Sequence, residues 1–133
     1  MERPKIKLPS VPAIDTQFME VVHEKLRDFI DVTIAGADAK SGAPELARAR
    51  PKFFEPMAAA VVTGFGRAMD GIPKDEVDFK VRLGRSALLV EEELGAIGMP
   101  PRAVEQTMVF YRTLTRQLCR MANNAAHQAH GLP

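Results

Sequence analysis

The chain contains no tryptophan, one tyrosine and one cysteine, and aromatic residues make up only 6% of it. A lone cysteine excludes an internal disulfide framework and a Cys-rich zinc module. So few rings leave no stacking platform for nucleotide bases. An excess of one charge is also lacking: 18 Lys and Arg stand against 17 Asp and Glu, a formal net charge of +1. That balance gives no electrostatic reason to expect a nucleic acid or an anionic membrane as partner. No apolar run approaches the ~18 residues of a membrane span, and residues 1–8 lack the apolar centre of a signal peptide. What is present is globular: 46% hydrophobic and 26% charged residues in a chain of 133, enough for one domain with a buried core. These features predict a soluble, cytoplasmic protein.

The apolar spacing is helical throughout, with no β-type alternation and no internal repeat. Pro4, Pro9 and Pro12 make residues 1–14 an extended proline-rich arm, leaving residues 15–133 as the single helical domain. Asp15 is suited to cap a first helix that turns Phe18, Val22, Leu26, Phe29 and Ile30 inward and ends near Gly36. Gly42, Pro44 and Pro51 break up residues 37–55, leaving room for one short helix over residues 44–50. Pro56 then opens, and Gly71 ends, a segment with almost no polar face, which predicts a central helix buried on all sides. Within it Ala60, Gly64 and Ala68 recur every four residues, a small-residue groove suited to the close approach of another helix or of a flat cofactor.

A long helix follows from Pro73, Asp75 and Glu76, with Phe79, Leu83, Ala87, Val90, Leu94 and Ile97 on its stripe. Its charges are segregated, Lys80, Arg82 and Arg85 first and then Glu91, Glu92 and Glu93. An antiparallel copy of the helix would pair the basic half with the acidic half, which predicts a homodimer. The last helix begins at Pro100 and Pro101 and buries Val104, Met108, Tyr111, Leu114, Leu118 and Met121. Its apolar period is lost over residues 123–133, where fraying is expected.

No reaction is announced by these residues. Cys119 has no histidine near it in sequence except His127 and His130, too loosely placed to serve as a base, so it reads as structural. His127 and His130 offer two ligands, a weak metal clip. Globin-type haem ligation is disfavoured because no histidine lies between Glu24 and Ala126, and His23 falls on a polar side. The methionines read as core filler. Arg112, Arg116 and Arg120 form a basic row on the last helix. Nothing argues for an enzyme.

Two stretches carry a resemblance. Val61, Val62 and Thr63 through Asp70, Pro73, Asp75 and Glu76 resemble the end of the central helix and following turn of phycobiliproteins. Ile97, Gly98, Met99 and Pro100 with Ala103 and Val104 resemble the entry to that family's last helix, and Arg50, Pro51 and Pro56 its proline-punctuated loop. The resemblance implies an all-α, globin-like fold without haem, from the phycobiliproteins or the bilin biosynthesis-associated globins. The chromophore-attachment cysteine is missing, its place taken by residues 51–54, and Pro51 and Pro56 are expected to truncate the central helix. Any bilin would therefore bind non-covalently, in a pocket walled by Phe65 and the central helix with Arg67, Arg82 or Arg85 meeting its propionates. Partners implied are a second copy or a bilin-synthesis enzyme. Two readings follow: a tetrapyrrole-binding globin-like protein, or a ligand-free helical module for dimerisation or protein interaction.

Overall fold

A computed structural model describes residues 13–129, and these are helical with no strand among them. Four α-helices follow in order: α1 (Thr16–Asp28), α2 (Pro44–Met69), α3 (Glu76–Ala96) and α4 (Pro101–Ala129). Of the expected arm, residues 1–12 lie outside the described residues, and Ile14 is buried in the core. Asp15 caps α1 by accepting the Phe18 N–H at 2.7 Å. The chain then continues through a π-helical segment, Phe29–Ile34, which turns Phe29, Ile30 and Ile34 inward. Four of the residues there from Ile30 to Ile34 are β-branched, side chains that crowd the preceding turn of an α-helix.

The largest departure from expectation is α2. It is one unbroken helix of 26 residues that runs through both Pro51 and Pro56. A proline inside a helix removes one N–H and crowds the carbonyl four residues back, costing about 3 kcal/mol. Both rings are exposed here, and neither Ala47 nor Lys52, whose carbonyls lose a donor, is buried, so water can pair them. The buried side chains lie on both flanks, Leu46 and Ala49 before the prolines and Met57 through Met69 after them. Tertiary packing on α3 and α4 holds the two halves in line. Nor is the helix buried on all sides: Ala59, Val62, Thr63 and Gly66 face outward. Ala59 and Gly66 expose little apolar area and Thr63 carries a hydroxyl, so Val62, 53% exposed, is the one large apolar side chain uncovered there.

Gly64 sets the crossing of α2 with α3. A Cβ built on it would stand 2.7 Å from both the N and the Cα of Val90, so only a glycine fits. The small-residue groove is thus occupied by the α3 backbone. Around this crossing Phe65, Met57, Phe79, Leu83, Val90, Leu94, Met108 and Leu118 fill the core. Gly71 and Gly98, both at positive φ, turn the chain out of α2 and α3. The final helix reaches Ala129 rather than fraying from residue 123, because Ala122 and Ala126 are buried one turn apart.

Gly64→Ala should lower stability by about 1–3 kcal/mol through overpacking. Gly66→Ala, whose Cβ meets nothing, should instead raise it by up to ~1 kcal/mol through helix propensity. Thermal melts of the two variants check this pair of opposite signs; shifts in the same direction would contradict the tight crossing.

Candidate functional site

The charged residues singled out by sequence are mostly engaged in holding helices together. Arg82 lies along α3 one turn after Asp78, and its Nε donates to Asp78 Oδ1 at 3.1 Å. Its terminal nitrogen donates to the carbonyls of Met69 and Asp70, satisfying the C-terminus of α2. Backbone and Arg82 donors together hold the Asp78 carboxyl below its ordinary range, the N–H of Lys74 contributing most. Arg67 pairs with Glu93 at 2.8 Å, tying α2 to α3. Phe65 is 1% exposed and meets His23 edge-to-face, with ring centroids 5.9 Å apart. Arg85 is exposed and has no ion pair among the described residues. The four residues expected to wall a bilin pocket therefore serve four different places.

Two other long-range caps were not foreseen. Arg50 donates to the carbonyls of Ile34 and Ala37, closing the end of the π-helical segment. Gln106, on α4, accepts the Leu46 N–H at 3.0 Å and donates to the Glu45 carboxylate, which caps α2 from across the core. That amide hydrogen bond is the main cause of the lowered Glu45 pKa. No local spacing in sequence marks such partners, since Gln106 lies sixty residues from Leu46.

Two open grooves have other linings. One, about 430 Å³, lies between the π-helical segment and α4, with Phe29, Val32, Phe110 and Leu114 at its apolar side and Lys25 and Asp28 at its edge. The other, about 510 Å³, lies between α3 and α4, where Met99, Val104 and Met108 form the floor and Gly95 leaves a gap in one wall. Its rim carries Glu91 and Arg112, which pair at 3.7 Å.

The outer face of α3 carries three of the exposed large apolar side chains among the described residues. Val77, Val81 and Leu88 are 62%, 67% and 72% exposed. With Gly84 and Gly95 they make one stripe, spaced alternately by four and three residues once Glu91 is counted between Leu88 and Gly95. This is the seam spacing of a coiled coil, and it lies opposite the buried stripe of Phe79, Leu83, Ser86, Val90 and Leu94. A Cβ on Gly84 or Gly95 would touch nothing, so both leave open notches beside the exposed side chains. The apolar residues and their spacing were legible in sequence, but a reading centred on the inner stripe passes over them.

The segregated charges of α3 are largely neutralised within the chain, contrary to expectation. Lys80 lies 4.0 Å from Glu76, while Arg82, Glu91 and Glu93 have the partners described above. Among the described residues, Arg85 and Glu92 are the α3 charges without an ion pair. No group of three or more metal-ligating side chains occurs among the described residues, and His130 lies outside them. No described helix is long and apolar enough to cross a membrane. Comparison with known protein families, curated proteins and solved structures finds no match to this chain.

One buried polar chain joins α3 to α4. Ser86 donates to the Leu83 carbonyl at 2.6 Å, so the Tyr111 hydroxyl, 2.7 Å from Ser86 Oγ, must be the donor in that second bond. Burial pushes the Tyr111 pKa up to about 12, against a smaller lowering by Ser86. Its folded pKa exceeds the unfolded one, so its contribution to stability is complete below pH 10 and is lost as the pH rises towards 12. Ultraviolet titration of the only tyrosine should show phenolate near pH 12 in the native protein and near 10 in denaturant. Tyr111→Phe should remove that part of the alkaline loss of stability; a native titration at the denatured value would mean an accessible hydroxyl.

Proposed function

We propose that this protein is a helical protein-interaction module whose working surface is the outer face of α3. The observation that carries this reading is the seam of Val77, Val81, Gly84, Leu88 and Gly95, apolar or open along the helix and facing away from the core. An apolar stripe at coiled-coil spacing is suited to another helix, and leaving it bare in water gains nothing for the fold. The tetrapyrrole reading, which rests on the resemblance to phycobiliproteins, needs a cavity walled by Phe65 with Arg67, Arg82 or Arg85 free to meet propionates. In the structure Phe65 packs in the core, Arg67 and Arg82 bind groups of the chain itself, and only Arg85 stands free for a ligand.

A photo-crosslinking phenylalanine analogue at position 88, introduced in cells that make the protein, should yield discrete protein adducts. The same analogue at exposed position 116 on α4 should yield none. Equal labelling at both positions, or none at 88, would overturn the reading. Adding biliverdin or haemin to the purified protein should leave the pigment spectrum unchanged. A saturable spectral shift lost in Arg67→Ala, Arg82→Ala or Arg85→Ala would instead establish the tetrapyrrole reading.

A further inference from the structure

Resting on the interaction reading, we propose that the occupant of the α3 seam is a second copy of this chain, packed antiparallel about a two-fold axis at Leu88. The charges that α3 leaves unpaired among the described residues decide the partner and its direction. Arg85 and Glu92 stand seven residues apart, hence on the same flank of the seam, one on either side of Leu88 along the helix. In an antiparallel pair the same flank meets itself, so Arg85 of each copy lies beside Glu92 of the other. In a parallel pair each flank would meet the opposite one, which sets Arg85 beside Lys80 of the other copy and Glu92 beside Ala87, with no charge complement. A surface carrying its own complement in this way fits a two-fold, isologous interface.

The shape of the seam agrees with the same axis. Leu88 meets Leu88 at the centre. Val81, seven residues before it, falls opposite Gly95, seven residues after, and Gly84 falls opposite Glu92. Val81 of each copy, 67% exposed, would thus be received where the partner helix has no side chain and nothing nearby fills the space. Gly95 is also a wall of the α3–α4 groove, so a valine seated there reaches the edge of its apolar floor of Met99, Val104 and Met108. Glu91 does not obstruct this packing, since Arg112 holds it towards α4. Apolar contact then supplies affinity, while the Arg85–Glu92 pairs set direction and register.

Light scattering of the purified full chain at about 100 µM should give twice the 14.6 kDa chain mass. Arg85→Glu and Glu92→Arg should each weaken self-association roughly tenfold at low salt, two symmetric pairs being lost at once, and the double variant should restore it. Leu88→Arg or Gly95→Leu should weaken it about thirtyfold or more, as expected for a central anchor or a blocked notch. Circular dichroism should report wild-type helicity for all of these, because the substituted positions are exposed. In a Cys119→Ser background, oxidation should link Leu88→Cys chains to one another and Val81→Cys chains to Gly95→Cys chains. Linkage of Val81→Cys chains to one another would mean a parallel pair and overturn the proposal. So would a monomer at that concentration, or a dimer that the double variant fails to rescue. Position-88 adducts formed only with other proteins would sink the second copy as partner while leaving the interaction reading in place. Absence of any adduct sinks both.

Discussion

The contact between Gly64 and the backbone of Val90 is the constraint on which the remaining architecture hangs. Two helices can approach this closely only where one of them has no side chain, and the 2.7 Å separation of a hypothetical Cβ from Val90 leaves no allowance for even a methyl group. Close approach brings α2 and α3 into their long shared boundary and turns Phe79, Leu83, Val90 and Leu94 into the core. It also fixes the rotation of α3 about its own axis. With Val90 pressed on Gly64, the stripe on the far side of the helix, from Val77 to Gly95, has to face water or another chain.

Polar groups in this fold are spent largely on closing helix ends. Arg82, Arg50 and Gln106 each reach to an element distant in sequence and satisfy backbone groups that the helix itself cannot. A charged residue in an amphipathic helix therefore has two very different uses, as a ligand for a foreign group or as a cap for its own chain. Residue type and spacing are the same in both. Arg82 had the chemistry to meet a propionate and meets the Met69 and Asp70 carbonyls instead. The same holds for Glu91 and Glu93, which look like an unpaired acidic block in sequence yet are each within reach of an arginine on a neighbouring helix.

The proposed association surface rests on what these engagements leave over. Arg85 and Glu92 flank the centre of the outer seam, and their positions give it a direction that apolar side chains alone would not. Glycines serve opposite ends on the two faces of α3: Gly64 is consumed by a contact already made, whereas Gly84 and Gly95 open notches that no described residue enters. The inner face of α3 is thus closed against Gly64 of α2, while its outer face stays open at Gly84 and Gly95.

Local information was enough for the helical class, for the ends marked by Asp15, Gly71 and Gly98, for the inner stripes of α3 and α4, and for the small-residue groove at Gly64. Each of these depends on neighbours within one or two helical turns, where 3.6-residue periodicity, capping and glycine freedom act directly. The continuity of α2 through Pro51 and Pro56 was not legible, because the local cost of a proline is offset by burial on both flanks. The outward side of α2 was not either, since alanine, valine and glycine are compatible with either environment. Which arginines are caps and which remain free was likewise decided by tertiary structure. Those outcomes depend on groups from α2 and α4 that stand tens of residues away, and only the closing of the Gly64 crossing brings them within reach.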